Sequence, residues 1–291
     1  MICFARRSNL SSLEVRPRRH IACLRVVPLE SQTSAPLVIL IHGACARMQQ
    51  LVNQVRFLGK LGYEVVSYDS LGCGMSDKPH DSRAYSSEEM YADFIEFVEF
   101  HTLRAGRRAK AIIGHSMGGA MVLKYAAEDP SASNATERVV SIAPPFFGQP
   151  KLTTGVFQLP RPVLWLIRPL MGMKVREMLF GPNPAPLLVR QEKEASARNP
   201  VHMFKSFYMG INPKMLSLTT TKLQVPALVL SAEFDRICPP FVVEAYYTHF
   251  KEDETNAVFL QQVAGAGHQC MQEDPGQVNE ILQKFLATKS P

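Results

Sequence analysis

The sequence predicts an α/β fold, a mainly parallel sheet with helices on both faces and an inserted helical lid, on three observations. Short apolar, β-branched runs alternate with stretches of helical period. At 291 residues, 46% apolar and 20% charged, the chain is long enough for one large core or two small ones. One segment, 146–223, breaks the alternation.

The elements follow in chain order. From Ser12 the segment Ser-Leu-Glu-Val-Arg-Pro-Arg-Arg-His-Ile-Ala-Cys-Leu-Arg-Val-Val alternates around a basic, turn-like stretch, as an edge hairpin does. Runs at 37–41, 64–68, 111–113, 139–142, 227–230 and 257–263 read as strands. Ser86-x-x-Glu89 caps a helix through Tyr91, Phe94, Ile95 and Val98 toward His101, and 117–127 makes another. Val278, Ile281, Leu282 and Phe285 give the last helix, 275–286, its apolar face. Alternation of this kind builds a parallel sheet covered on both sides. Segment 146–223 holds nine Pro, six Met, six Phe and the only Trp. A loop of that length needs helices of its own in a compact domain. The expected division is an N-terminal extension (1–11), a first core part (12–145), the lid (146–223) and a second core part (224–291).

The net charge of +6 is unevenly spread. Residues 1–36 carry six basic and two acidic groups and 146–223 carry eleven and three, whereas 37–145 and 224–291 are net acidic. A core of that sign does not suit nucleic acid, which is not expected as a partner. The lid's cations have two readings: a solvated outer face, or a rim that offers peripheral membrane contact and attracts an anionic amphiphile.

Six cysteines lie scattered, with no Cys-x-x-Cys pair and no His at metal-ligand spacing. Neither a disulfide framework nor a metal is expected, and the chemistry below needs no cofactor. No run of about 18 apolar residues occurs. Residues 1–25 hold six Arg and only Glu14 as acid, a bias that also marks mitochondrial presequences. The expected location is cytoplasmic, with mitochondrial as the alternative.

Chemistry concentrates at Gly114-His-Ser116-Met-Gly118, between a buried strand and a helix. A sharp strand-to-helix turn brings backbone against backbone, so positions two before and two after the serine must be small, and Oγ stands above the sheet edge. The helix N-terminus behind it stabilises developing negative charge. A serine hydroxyl needs a base oriented by a carboxylate. His268 follows the strand ending near Val263, and Asp235 follows 227–230, at the carboxyl edge where sites in such sheets collect. The order Ser116, Asp235, His268 is that of this architecture. The His42-Gly43 pair ends an early strand, so the oxyanion hole is assigned to the N–H groups of Ala44 and Met117. His42 is read as a brace of its loop, His115 as a packing residue of the elbow and His249 as a surface residue.

With these motifs the chain resembles serine hydrolases of the α/β-hydrolase superfamily, and within it the animal abhydrolase domain-containing proteins. Asp69-Ser-Leu-Gly72-Cys-Gly74-Met-Ser76 is similar to the turn that follows the family's second parallel strand. The likeness spans roughly Ser12 to Leu286 and implies the α/β-hydrolase fold. The family pattern places the acid at Asp235 rather than at Glu233. Ala46 stands where many relatives have the last Gly of His-Gly-x-x-Gly, which implies a looser oxyanion loop. Asp274 falls one place late for the His-x4-Asp of acyltransferase-like relatives, so acyl transfer to lysolipids is not implied.

The expected reaction is hydrolysis of an ester or thioester with an apolar acyl part, a small molecule or lipid ester, through an acyl-enzyme. Trp165, Phe146 and Phe147 are the expected substrate-binding residues, and the lid's Met and Phe the acyl pocket. Serine rather than aspartate at position 116 disfavours epoxide and haloalkane chemistry. A C–C hydrolase using the same triad and a non-catalytic binding member of the fold are the alternatives. Cys45, Cys73 and Cys270 are expected near the site, either as a redox switch or as inert buried thiols.

Overall fold

The computed structural model describes residues 7–28, 35–145 and 154–288. The chain runs β1 (Arg7–Arg16), β2 (Arg19–Val27), β3 (Leu37–Ile41), α1 (Val52–Lys60), β4 (Glu64–Tyr68), α2 (Ser87–His101), β5 (Ala109–His115), α3 (Met117–Glu128), the short α4 (Ala132–Ala135) and β6 (Val139–Ile142). Four helices follow: α5 (Arg161–Leu179), α6 (Pro186–Ala197), α7 (Val201–Gly210) and α8 (Pro213–Leu216). Then come β7 (Ala227–Ala232), α9 (Pro240–Lys251), β8 (Val258–Val263), α10 (Cys270–Glu273) and α11 (Pro275–Ala287).

All eight strands join one sheet in the order β1-β2-β4-β3-β5-β6-β7-β8. The β1–β2 and β2–β4 pairs are antiparallel and the other five parallel. Successive side chains of a strand point to opposite faces, and here both faces are buried. Leu37, Ile39 and Ile41 join one apolar cluster with Phe94 and Phe97 of α2, Met121 and Tyr125 of α3 and Tyr246 of α9. Val38 and Leu40 join the other, with Val55 and Leu58 of α1 and Leu282 and Phe285 of α11. That double burial explains why the central strands read as unbroken apolar runs.

Caps match the sequence. The Ser86 side chain accepts from Glu89 N at 3.3 Å to start α2, and Asp274 accepts from Gln277 N at 2.9 Å to start α11. The late aspartate is thus a helix cap.

The hairpin extends further than expected. β1 begins at Arg7, with Arg7 opposite Val27, inside the segment expected to be an extension. The outer half of an edge strand faces solvent, so its pairing leaves no apolar alternation to read. Three of the hairpin's arginines are paired within the fold. Arg16 Nε and Arg19 Nε lie 2.9 and 2.7 Å from Asp93 Oδ1, on α2, and Arg19 Nη2 lies 2.5 Å from Oδ2. Arg25 Nε reaches Glu64 at 2.8 Å.

Asp93 is buried between two guanidinium groups. Asp93→Ala leaves Arg19, itself mostly buried, with the Ala84 carbonyl and a longer contact to Glu89 as its remaining partners, and should cost about 3 kcal/mol. Urea denaturation of the two proteins measures it; a loss under about 1 kcal/mol would show that the cluster does not hold the hairpin to α2.

Candidate active site

The turn from β5 into α3 is set by backbone contact. A Cβ at Gly114 would stand 2.2 Å from the Gly118 carbonyl oxygen, and one at Gly118 would stand 2.7 Å from the His42 carbonyl oxygen. Neither position accepts a side chain. Ser116 sits between them at φ 52° and ψ −120°, a left-handed conformation costing on the order of 1–3 kcal/mol for a non-glycine residue. It is held by its N–H donating to Ile142 O at 2.8 Å and by Ala120 N donating to its own carbonyl at 3.0 Å.

Asp235 and His268 meet at the carboxyl edge. His268 Nδ1 lies 2.7 Å from Asp235 Oδ2, and Asp235 Oδ1 accepts from the N–H groups of Ile237 and Cys238, each at 2.8 Å. A carboxylate only accepts, so Nδ1 carries the proton and Nε2 is left as the basic nitrogen. Glu233, the rival acid, instead accepts from Gly265 N at 2.8 Å and braces the loop before His268.

Three residues that motif reading does not single out as functional position these groups. His115 Nε2 lies 2.9 Å from the carbonyl oxygen of His268, tying the elbow to the base. Gln50 accepts from Gly43 N and donates to Gln269 Oε1, both at 3.0 Å, and so joins the loop after β3 to the His268 loop. The Glu273 carboxylate accepts from Gly267 N at 3.0 Å and from Gly181 N at 2.8 Å. It thereby pins the end of α5 to the His268 loop, and burial pushes its carboxyl pKa up. Their signal was faint in sequence because each has a partner far along the chain: His268 for His115, Gln269 for Gln50 and Gly181 for Glu273.

The loop after β3 packs directly on the Ser116 turn. A Cβ at Gly43 would approach His115 Nδ1 at 2.9 Å and Ser116 Cβ at 3.1 Å. Ala44 therefore stands beside Ser116, while Met117 opens α3 with its N–H free of an intrahelical acceptor. The loop is tighter than Ala46 implied: Ala46 N donates to Gly43 O at 3.2 Å, with Cys45 at φ 52° supplying the left-handed turn. His42 braces it, accepting from Ser70 N at 2.9 Å through Nε2 and donating from Nδ1 to Gly43 O at 2.7 Å. Asp69 ties the neighbouring turn, accepting from Met48 N at 2.7 Å and Met75 N at 2.8 Å.

Ser116, His268 and Ala44 open on a cavity of about 420 Å3, walled by Met171, Val175, Leu179, Phe204, Tyr208 and Ile237. Trp165 does not join it. It shares a helical stripe with Arg168, Gly172 and Arg176, which line the cavity, but lies one turn before the cavity begins and is 69% exposed. Phe146 and Phe147 lie outside the described residues. Burial pushes the Cys73 thiol up to about 12, with Asp69 adding to it, and the Cys45 and Cys270 thiols also up. Such a shift disfavours the thiolate, the nucleophilic form, at all three. Among the described residues only Asp235, Cys238 and His268 gather metal-ligand atoms, within 4.8 Å. The His268–Asp235 hydrogen bond and a Cys238 thiol kept protonated by burial do not suit an ion there.

Burial holds His42 and His115 below the ordinary value near 6.5 and pushes His101 down to about 4. Below about pH 6.5 the unfolded chain therefore takes up protons that the folded chain refuses, and stability falls as pH drops toward 4. The melting temperature should decline from about pH 7 to about pH 5, and less steeply in His101→Gln. Equal slopes in the two proteins would show that His101 is not held neutral.

Comparison with known proteins places this geometry. Residues 32–275 match the family model described as serine aminopeptidase, S33. Mouse Protein ABHD8 is 25% identical over 291 residues, covering 93% of this chain and 60% of that protein. The chain thus spans about 60% of the length of the ABHD8 relatives it matches. The Bacillus subtilis AB hydrolase superfamily protein YisY is 24% identical over 260 residues, covering 85% of this chain and 90% of that one. An esterase from Exiguobacterium antarcticum shares the fold at a TM-score of 0.75 and 18% identity, over 93% of this chain and 96% of that one. With the family model running from before β3 to the start of α11, the chain belongs to the serine aminopeptidase S33 family of the α/β-hydrolase superfamily.

Proposed function

We propose that the chain is a serine hydrolase that cleaves an ester or thioester with an apolar acyl group. The observation that carries this reading is a strained Ser116 and an Asp235-bonded His268 opening on one largely apolar cavity. Ser116 Oγ attacks the carbonyl carbon while His268 Nε2 takes its proton, and Asp235 stabilises the imidazolium. The N–H groups of Ala44 and Met117 hold the oxyanion, each such donor contributing about 10²-fold or more in rate. His268 then protonates the leaving group, whose departure leaves the acyl group on Ser116. Finally His268 activates a water that releases the acid and restores the serine.

In this reading α5 to α8 serve as the lid, an insertion at 146–223 between core parts 12–145 and 224–291. Two ties support it: Glu273 to Gly181, and Asn199 Nδ2 to Cys45 O at 2.6 Å, which hold these helices over the two loops that flank Ser116. Met171 and Phe204 line the acyl pocket, and the thioether of Met adapts to more than one acyl shape.

A fluorophosphonate probe should label the wild-type protein and not Ser116→Ala, and Ser116→Ala should lower p-nitrophenyl ester hydrolysis at least about 10³-fold. A panel of p-nitrophenyl acyl chains, a dienoic ketoacid and an aminoacyl p-nitroanilide sorts the reaction. Preference for either of the last two would replace the ester reading with C–C or peptide hydrolysis. Absence of labelling on folded protein would favour a binding member of the fold.

A further inference from the structure

Nine of the nineteen large apolar side chains exposed among the described residues fall between Leu159 and Leu187. Helix α5 lines the cavity with Met171, Val175 and Leu179. Its other side is apolar too: Val163, Leu166 and Leu170 recur at i, i+3 and i+7, and Trp165, exposed one turn before the cavity begins, adjoins them at the start of the helix. Leu166 is 72% exposed and Leu170 55%. A surface helix normally shows water its polar side, so a second apolar stripe calls for a partner.

The cations of these helices differ from those of the N-terminal hairpin. Arg16, Arg19 and Arg25 face carboxylates, whereas among the described residues Arg161, Lys174 and Arg176 of α5 and Arg190 and Lys193 of α6 form no ion pair. Charge on the core segments 37–145 and 224–291 has the opposite sign. Arg176 and Lys193 stand at the cavity, but Arg161, Lys174 and Arg190 are exposed, so unpaired positive charge lies on the same two helices as the exposed apolar side chains.

We infer that this face docks on an anionic lipid surface, with Trp165, Leu166 and Leu170 entering the boundary between headgroups and acyl chains and the cations meeting lipid phosphate and carboxylate groups. No helix among the described residues is long and apolar enough to cross a membrane, so the contact lies in the interface plane. Charge selects this occupant over a second copy of the chain, since two copies joined here would bring cation against cation. Docking would set the cavity, walled by the inner side of the same helix, beside the bilayer. The surface itself does not depend on the chemistry of Ser116.

Trp165 is the only tryptophan, so its emission reports this face directly. Vesicles of phosphatidylcholine with about 30 mol% phosphatidylserine should shift that emission to the blue and carry the protein in flotation, and salt should weaken both. Ser116→Ala should bind as wild type, which separates this result from any activity. Leu166→Asp with Leu170→Asp should lower the bound fraction at least about tenfold while retaining the wild-type circular dichroism spectrum. Unchanged emission with vesicles would overturn the proposal, as would equal binding to pure phosphatidylcholine. A blue shift without lipid that rises with protein concentration, together with a dimer in sedimentation, would assign the face to a second copy instead.

Discussion

The approach of two backbones at Gly114 and Gly118 is the contact on which the rest of the site depends. A side chain at either position would overlap main-chain atoms, and main chain in a packed sheet does not yield. With both small, the chain turns from β5 into α3 within one residue, and that residue is forced to a positive φ. The strain is borne because strand pairing on both sides of β5 and the buried face of α3 hold the turn's two arms. What results is a serine placed above the sheet edge at the head of a helix, next to the Gly43 loop.

Around that turn, loops distant in sequence are assembled by a few buried hydrogen bonds. Gln50 links the loop after β3 to Gln269, and His115 holds the His268 carbonyl. Such groups stabilise the arrangement only if satisfied, because a buried amide or imidazole left without a partner costs more than the bond contributes. The loops are thereby held in one register, and the Asp235–His268 pair inherits its orientation from them. Glu273 extends the same logic outward by fixing the end of α5 to the His268 loop.

Charge is divided in the same structural way. In the N-terminal hairpin Arg16, Arg19 and Arg25 pair with Asp93 and Glu64 and act as fasteners. On α5 and α6 several cations, Arg161, Lys174 and Arg190 among them, are exposed to solvent on the same helices as exposed apolar side chains. A single overall charge of +6 thus conceals two different uses of arginine and lysine.

Much of this was determined by the sequence alone. Local geometry ties residue type to position, so the strand runs, the Gly-x-Ser-x-Gly turn, the Ser86 cap and the order of Ser116, Asp235 and His268 could be read directly. The start of β1 could not, because an edge strand's outer half needs no pattern, and Trp165 was misplaced because periodicity gives a helix its stripes but not where a cavity begins along them. The tight turn at Ala46 and the bracing by Gln50, His115 and Glu273 were decided only by tertiary structure, while the bond from His268 to Asp235 rather than Glu233 follows the sequence reading. The bracing depends on atoms brought together from distant parts of the chain, and the turn at Ala46 on a left-handed Cys45, a conformation that residue type does not announce.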